Sequence, residues 1–411
     1  MNLVVLVWNY LKAKPLNTLL NVLLLALGIG VIIVLLLFKN QLSEKIGGAT
    51  KGIDLVVGAK GSPLQLILCN VFHIDFPTGN INLQEAERLA KHRLIKQAIP
   101  LALGDSYQNF RIVGTTQAYP DLYNIKLSQG KWWKSDLEVT VGATVAALIP
   151  LKVGDTFASA HGLSKEGHAH DENRYRVVGV LQSSGTVVDN LILTNVPSIW
   201  KVHEEDAANE TDALPQVISK LLGGDVRVDS TKEITSVLIK YKNPMAAIQL
   251  PRLVNGQTNM QAASPAFETA RLFTLLGVGT EVLMGFGYVL IFISALSIFI
   301  ALYNSLKERK YDLAIMRSMG ASRSKLVFSV LLEGIILTLI GALVGLCLGH
   351  AVLWIFTLTV EESSRTGMTA LVFYTEEWMV LSGSCLLGVI CALLPAWQAY
   401  RTDIHRVLAG G

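Results

Sequence analysis

Four long apolar stretches constrain this chain of 411 residues more than any other feature. They are residues 15–38, 282–306, 326–359 and 378–400. About 20 apolar residues, each rising ~1.5 Å, cover a hydrocarbon core of ~30 Å. Three stretches hold no charged residue, and the third carries one carboxylate, Glu333, and one histidine, His350. The pattern excludes an ordinary soluble enzyme and predicts an α-helical membrane protein with four transmembrane helices.

The first stretch is too long for the apolar core of a signal peptide, so we expect an uncleaved anchor. Orientation follows from Lys and Arg in the short loops, because these residues resist translocation. The loop 307–325 carries six of them, whereas the loop 360–377 has four Glu against one Arg. We therefore expect a multi-pass inner-membrane protein with cytoplasmic termini and a large periplasmic segment after the first span.

These boundaries divide the chain into nine expected segments. They are an N-terminal cytoplasmic or interfacial segment (1–14), the first transmembrane helix and its stalk (15–46), a periplasmic α/β domain (47–263), a second stalk and transmembrane helix (264–306), a cytoplasmic coupling loop (307–325), the third transmembrane helix (326–359), a short periplasmic loop (360–377), the fourth transmembrane helix (378–400) and a cytoplasmic tail (401–411). The net charge of +3 gives no reason to expect a nucleic-acid partner.

The segment between the first two spans has the pattern of a mixed α/β domain. Residues 83–94 have helical spacing behind a capping residue, Asn82. Runs rich in β-branched residues predict strands at 52–58, 110–115, 138–141, 174–181, 190–194 and 235–241. Cys69 is the one cysteine outside the apolar stretches, so no disulfide framework is expected there.

One stretch of this domain is rich in histidine and carboxylate. His161, His168, His170 and Asp171 lie within eleven residues, and neutral imidazole and carboxylate are good ligands for zinc. A solvated polar hairpin loop is the alternative interpretation. Zinc binding here is therefore a hypothesis.

The sequence offers no catalytic constellation. Residues 183–185, Ser-Ser-Gly, lack the context of a nucleophile elbow, and His73 is expected to be a packed or hydrogen-bonded core residue. No G-x-x-x-x-G-K-[ST] phosphate loop occurs in these 411 residues. We therefore expect a non-catalytic chain that binds no cofactor of its own.

The connector, residues 307–325, is basic and amphipathic. We expect its helix to begin near Asn304 or Ser305 and to end where Gly320 takes a left-handed cap conformation. Tyr311, Ala314, Ile315 and Met319 would share one face at spacings of three and four. That face suits either the lipid interface or a groove in a partner protein.

The connector and the segments around it carry a family resemblance. The run 304–323, NSLKERKYDLAIMRSMGASR, followed by Leu-Leu-Glu-Gly at 331–334, resembles ABC transporter permeases of the MacB/FtsX/LolC superfamily, the type VII or mechanotransmission type. The C-terminal segment 394–408 is similar to their closing cytoplasmic helix, although Ile404 stands where proline is common. Residues 130–133, 141–142, 151–157 and 175–181 resemble, in order, landmarks of the MacB-like periplasmic core domain.

The resemblance implies a permease that works as a dimer with a separate ABC ATPase dimer. The second permease copy would be identical or a paralogue, and ATP with Mg²⁺ would sit on the ATPase. Membrane lipids and a periplasmic or outer-membrane protein are further expected partners. The connector would be the coupling helix, with contact residues Arg309, Tyr311, Asp312, Ile315, Met316, Met319 and Gly320. The stalks, 39–46 and 264–280, would relay ATPase motion to the periplasmic domain.

Two features of the third apolar stretch predict helix packing. A carboxylate within a membrane normally has a partner, so Glu333 is expected to pair with an arginine of the connector rather than to relay protons. Gly341, Gly345 and Gly349 would admit another helix closely, either within the four-helix unit or across a dimer.

The leading function is therefore mechanical export or extraction of a lipoprotein, peptide or amphiphile across the cell envelope. One alternative is an FtsX-like signal transmitter that acts on a periplasmic enzyme. Another is a zinc-linked envelope transporter that uses residues 161–172. The substrate itself is not encoded in any motif that we recognise.

Overall fold

The computed structural model describes residues 3–161, 173–210, 232–359 and 368–401, without the side chains of residues 161, 204–210 and 310. The chain divides into two compact units. The helical unit comprises Met1–Leu42 and Leu275–Gly411, and the α/β unit comprises Ser43–Thr274.

The helices of the described residues fall into two groups by length. Four have 27 to 44 residues, and the others have 15 or fewer. The helices are α1 (Leu3–Ala13), α2 (Pro15–Ala49), α3 (Pro63–Asn70), α4 (Leu83–Ala90), α5 (Ala118–Leu122), α6 (Ala143–Leu148), α7 (Val196–Glu210), α8 (Ala246–Gln257), α9 (Pro265–Glu308), α10 (Lys310–Ser318), α11 (Arg323–Thr359) and α12 (Thr375–Arg401).

The strands all belong to the α/β unit. They are β1 (Leu55–Ala59), β2 (Ile81–Asn82), β3 (Ile95–Tyr107), β4 (Phe110–Thr115), β5 (Leu127–Gly130), β6 (Glu138–Val141), β7 (Thr156–Phe157), β8 (Ala160–His161), β9 (Tyr175–Leu181), β10 (Leu191–Asn195), β11 (Glu233–Ile234), β12 (Ser236–Tyr241) and β13 (Met260–Ala263). The main sheet has the order β13-β1-β12-β3-β4-β10-β6-β9-β5, with β7 on β9 and β8 on β3. Central β10 pairs parallel to β4 and antiparallel to β6. The sheet is therefore mixed, as an α/β domain predicts.

Both faces of this sheet are buried. Successive residues of β1 enter different apolar clusters, with Val56 in one and Leu55 and Val57 in the other. Since side chains alternate across a strand, the two clusters lie on opposite faces. This double burial explains why the strands read as continuous apolar runs and not as alternating patterns.

The predicted elements of the α/β unit are mostly present. Asn82 caps α4, because its Oδ1 accepts hydrogen bonds from the backbone N–H groups of Gln84 (2.8 Å) and Glu85 (3.4 Å). The strands expected at 110–115 and 138–141 have those limits. The strand expected at 190–194 begins one residue later, because Asn190 closes a 3₁₀ turn, Val187–Asn190. The prediction omitted β3, a strand of 13 residues that contains Pro100 and Gly104.

Among the described residues, four helices are long and apolar enough to cross a membrane: α2, α9, α11 and α12. Their large apolar side chains often point away from the protein; Phe286 and Phe292 of α9 are 62% and 70% exposed. Such outward apolar faces suit a lipid solvent, in which large side chains need no protein cover.

Candidate functional site: the connector between two long helices

A break in the helix at Arg309 defines the start of the connector. Helix α9 continues through Asn304 and Ser305 to Glu308, so the expected helix start at these two residues is wrong. Arg309 leaves the helical conformation with φ −93° and ψ 11°, and α10 begins at the next residue. Backbone bonds flank this break: Arg309 N–H donates to Ser305 O, and Leu313 N–H donates to Arg309 O.

The break is held by side chains of two other helices, α1 and α11, and by Lys14, the residue between α1 and α2. The Arg309 guanidinium donates to both carboxylate oxygens of Glu333 on α11, at 3.2 and 3.5 Å, and lies 3.7 Å from the ring centroid of Tyr10 on α1. Lys14 forms an ion pair with Glu308. Glu333 thus pairs with a connector arginine, and these contacts fix the direction in which α10 leaves α9.

Arg309 and Glu333 are both largely removed from solvent, with side chains 14% and 10% exposed. Arg309 was expected among the residues that contact an ATPase. Its guanidinium instead turns toward the bundle, where a bidentate pair and a cation–π contact satisfy it. Burial raises the pKa of the Tyr10 phenol, which keeps this ring neutral beside the cation. Sequence reasoning missed Tyr10, because nothing in α1 indicates a partner almost 300 residues away.

The connector helix ends in a Schellman motif. Gly320 has φ +96°, its N–H donates to Arg317 O, and Ala321 N–H donates to Met316 O, both at 3.0 Å. This is the left-handed cap that the sequence predicted at Gly320. A side chain here would meet no neighbour, so glycine is required by the backbone conformation alone.

The two faces of α10 differ sharply in burial. Leu313 and Ala314 are 4% and 1% exposed. Leu313 packs in an apolar cluster with residues of α9, α11 and α12, namely Leu306, Leu326, Val330, Ala396 and Ala399. Met316 is half-buried against the same cluster. Placing Ala314 on one face with Tyr311, Ile315 and Met319 was therefore wrong, because Ala314 is buried whereas the other three are exposed.

The outer face keeps the remaining apolar residues. Tyr311, Ile315 and Met319 are 56%, 38% and 82% exposed, and we name them the outer stripe. Their spacing of four aligns them on one side of α10. Asp312 is exposed beside them. The site is thus a short helix fixed to the bundle by one face and presenting an apolar stripe on the other.

Comparisons with known proteins identify the kind of molecule that carries this connector. The family model of the MacB-like periplasmic core domain matches residues 18–246, more than half of the chain, and that of the FtsX-like permease C-terminal domain matches residues 284–404. The chain is an ABC transporter permease of the MacB/FtsX superfamily.

Individual relatives of this permease are distant. It is 34% identical over 103 residues to the uncharacterized ABC transporter permease YknZ of Bacillus subtilis, covering 24% of the chain and 23% of the relative. It is 20% identical to the macrolide export ATP-binding/permease protein MacB of Hyphomonas neptunium, covering 80% of the chain and 49% of the relative. It is 21% identical to the pyoverdine export ATP-binding/permease protein PvdT of Pseudomonas syringae, covering 96% of the chain and 57% of the relative. The chain thus spans about half the length of these two export proteins.

Solved structures of two family members also match. The periplasmic region of MacB from Actinobacillus actinomycetemcomitans aligns with 54% of the chain and 95% of that structure, at 12% identity and a TM-score of 0.33. The extracellular domain of YknZ aligns with 52% of the chain and 99% of that structure, at 12% identity and a TM-score of 0.27.

The glycine row of α11 lies against α2 within the same permease chain. A Cβ at Gly349 would come 2.5 Å from Ile33 Cγ2, and one at Gly345 would come 2.8 Å from Ala26 O. A Cβ at Gly341 would come 2.8 Å from Leu25 Cδ2. Of the two packing alternatives that the sequence left open, this geometry is the one within the four-helix unit.

The structure does not test the hypothesis that the histidine-rich stretch binds zinc. His168, His170, Asp171 and the side chain of His161 lie outside the described residues. Within the described ranges, no group of three or more His, Cys, Asp or Glu residues is arranged to hold a metal ion. The zinc hypothesis therefore stays a prediction.

Two polar clusters of the α/β unit have structural explanations. His73 is 9% exposed, and its Nε2 lies 2.8 Å from the Tyr119 hydroxyl, as expected of a core histidine. The Ser183–Ser184–Gly185 turn is organised by Asp189, whose carboxylate accepts from the N–H groups of Ser184 (3.0 Å) and Gly185 (2.7 Å). The Ser184 hydroxyl also donates to Asp189, at 2.8 Å, so this carboxylate has a structural role in holding the turn.

Proposed function

We propose that this permease is driven by a separate ABC ATPase dimer, which seats the connector helix α10 in a groove. The observation that carries the proposal is the outer stripe. Tyr311, Ile315 and Met319 form an exposed apolar row on a helix whose opposite face is fixed to the bundle. A helix fixed in this way transmits force, because it cannot turn without moving the long helices.

The long helices α2 and α9 are the proposed path of that motion. They contain 35 and 44 residues, whereas about 20 suffice to cross a bilayer. The additional turns include residues of the proposed stalks, 39–46 and 264–280. A stiff helix that continues beyond the membrane can carry a displacement from the cytoplasmic side to the periplasmic domain.

The proposed setting is the inner membrane. The basic connector and both termini face the cytoplasm by the bias of Lys and Arg, and the domain 47–263 faces the periplasm. A second permease copy, identical or paralogous, would complete the transporter. The exposed apolar face of α9, with Phe286 and Phe292, suits lipid or that copy.

The proposed activity is export or extraction of a lipoprotein, peptide or amphiphile. Two relatives are named as export proteins, one for macrolides and one for pyoverdine. These names favour transport over the FtsX-like alternative, in which ATP turnover only activates a periplasmic enzyme. Release of a molecule from proteoliposomes during ATP turnover would distinguish the two.

The outer stripe gives the sharpest test of the ATPase partner. Ile315→Asp and Met319→Asp place a charge on the stripe without touching the inner cluster, whereas Met316→Asp would also disturb packing. We expect recovery of an ATPase in pull-down from native membranes to fall at least tenfold for both stripe variants. Ser324→Asp adds the same charge at an exposed position in the first turn of α11, where a carboxylate is favourable, and is the matched control.

Equal ATPase recovery by the stripe variants and the control, with unchanged thermal melting, would contradict the assignment of α10 as the coupling helix. If Ser324→Asp also lost ATPase recovery, the surface that contacts the ATPase would include the first turn of α11 in addition to the outer stripe.

A further inference from the structure

A short segment before α12 is fastened to three helices of the helical unit. We name residues 368–374 the strap. Gln41 of α2 forms two hydrogen bonds with the strap backbone: its Nε2 donates to Thr369 O at 2.8 Å, and its Oε1 accepts from Thr369 N–H at 2.9 Å. His350 of α11 contacts Ala370 O through Nδ1 at 2.5 Å. Glu377 of α12 accepts from Tyr374 N–H at 2.9 Å through Oε1.

The fastenings at His350 and Glu377 are joined to each other. Nε2 of His350 lies 3.0 Å from Oε2 of Glu377, and the two side chains are 13% and 2% exposed. Glu377 occupies the third position of α12 and reaches back to the N–H that precedes the helix, as the acidic member of a capping box does. The carboxylate therefore has a local reason to be where it is, independent of the histidine.

The hydrogen bonds require one proton more than neutral histidine and ionised glutamate contain. A carbonyl oxygen only accepts, so Nδ1 of His350 must carry a hydrogen for the bond to Ala370. Neutral imidazole then has no hydrogen on Nε2, which would face carboxylate oxygen lone pairs. The contact becomes favourable when Nε2 is also protonated or when Glu377 is a carboxylic acid. Both states contain the same additional proton.

The described elements around this pair carry few other charged groups; Glu361, Glu362 and Arg365, which precede the strap in the sequence, lie outside the described residues. The strap has no Asp, Glu, Lys, Arg or His. On α11 the other carboxylate is Glu333, 17 residues away and ~25 Å along the helix axis. On α12 the neighbour is exposed Glu376, and on α2 the charged residues near Gln41 are Lys39, Glu44 and Lys45. Within the described residues, His350 has Glu377 as its carboxylate neighbour.

We propose that His350 and Glu377 form a buried proton-binding site that latches the strap to the helical unit. With the proton bound, the strap is fastened at Gln41, His350 and Glu377 together. Without this proton, the lone pair of His350 Nε2 faces the lone pairs of the Glu377 carboxylate in a buried environment. The contact is then unfavourable, so the strap detaches from α11. The latch is therefore closed at low pH and opens as pH rises, and it requires no ATPase.

Opening of the latch would change the surroundings of the apolar residues in the strap. The strap carries three consecutive apolar residues, Leu371, Val372 and Phe373, which are 84%, 37% and 65% exposed. The Phe373 ring lies 4.5 Å from the His350 ring, centroid to centroid. Releasing His350 therefore separates the strap's apolar tip from this aromatic contact with α11.

The test is hydrogen exchange of the strap in the full chain, reconstituted in lipid nanodiscs and followed from pH 5 to pH 9. Protection factors, corrected for the intrinsic pH dependence of exchange, are read at Thr369 and Tyr374, whose N–H groups are the fastened ones. We expect wild-type protection to fall by up to tenfold per pH unit once the proton leaves.

Two variants separate the proton from the contact. Glu377→Gln supplies an N–H to neutral His350 and keeps an oxygen for Tyr374 N–H, so the strap should stay protected at every pH. His350→Leu removes the latch, so protection should be at least tenfold lower at pH 6 and independent of pH. Glu376→Gln is the matched control on the exposed neighbouring carboxylate and should titrate like wild type.

Several outcomes would overturn the proposal. They are strap protection in wild type that does not change between pH 5 and 9, a Glu377→Gln variant that still titrates like wild type or is open throughout, and a His350→Leu variant as protected as wild type at pH 6. Histidine ¹⁵N spectra give an independent measurement, with the His350→Leu variant to assign the signal. A neutral His350 beside an ionised Glu377 at pH 6 would also overturn it.

Discussion

The helical unit and the α/β unit are stabilised in different ways. The α/β unit has a continuous backbone ladder with an apolar cluster on each face, where residues such as Ile192 have no exposed surface. The helical unit directs many large residues outward and relies on close contacts at a few points, such as Gly349 against Ile33. Its buried polar pairs, Arg309–Glu333 and His350–Glu377, are equally localised.

This difference predicts where single substitutions matter. In a lipid solvent, outward apolar residues contribute little to folding, so stability concentrates at small residues and polar pairs. In the α/β unit stability is spread over many branched side chains, and a buried titratable group is tolerated if it is neutral. Substitutions at these places test the comparison.

The largest effect is expected at the ionic pair of the connector. Arg309→Met removes the partner of a carboxylate that is 10% exposed, which we expect to destabilise the helical unit by about 3 kcal/mol. The double variant Arg309→Met with Glu333→Leu should recover most of this loss, because no unpaired charge remains. Unfolding in mixed detergent micelles, followed by circular dichroism, measures both.

A double variant as unstable as Arg309→Met alone would show that the pair contributes more than charge compensation. A single variant as stable as wild type would contradict the view that the helical unit depends on localised polar contacts.

A smaller effect is expected from the glycine row. Gly349→Ala places a methyl group 2.5 Å from Ile33 Cγ2 and should cost about 1–3 kcal/mol through overpacking. Gly383→Ala is the matched control, because its methyl group would meet no atom within 4 Å. Alanine favours helix over glycine, so this control should be unchanged or up to about 1 kcal/mol more stable. Equal stabilities for the two variants would contradict the close approach of α2 and α11.

Sequence patterns predicted those parts of the fold that are encoded locally. The Asn82 cap and the left-handed Gly320 follow from residue type and position. Strand β3 was missed because Pro100 and Gly104 are poor strand residues when read locally. In the sheet, Pro100 pairs with Val237 of β12, and Gly104 lies in an irregularity between the pairings of Leu103 and Ser106 with β4.

The connector shows the same limit at a candidate site. Periodicity places Ala314 near Ile315, but which side of α10 is buried depends on the cluster with Leu326 and Ala396. Arg309 is one of six basic residues in the connector, and only the position of Glu333 and Tyr10 distinguishes it from the others. The pairing of His350 with Glu377 likewise requires the meeting of two helices.

The smallest effect at neutral pH is expected at His73 in the α/β unit. Burial, with a contribution from the nearby Arg111 cation, lowers the pKa of His73 from 6.5 to about 3. The folded state therefore binds this proton only near pH 3, whereas the unfolded chain binds it near pH 6.5. Its contribution to stability is complete above pH ~6.5 and is lost as pH falls, by about 1.4 kcal/mol per unit.

His73→Asn removes the titration and keeps a residue that tolerates the left-handed backbone, since His73 has φ +57°. The variant should be less stable than wild type at pH 7, because the contact with Tyr119 is altered. Its stability should then fall less steeply between pH 6.5 and 4, so that the two curves converge; urea unfolding of the full chain in detergent at several pH values measures this. Parallel curves would mean that His73 binds its proton in the folded state. They would contradict the view that the α/β unit tolerates this buried histidine by keeping it neutral.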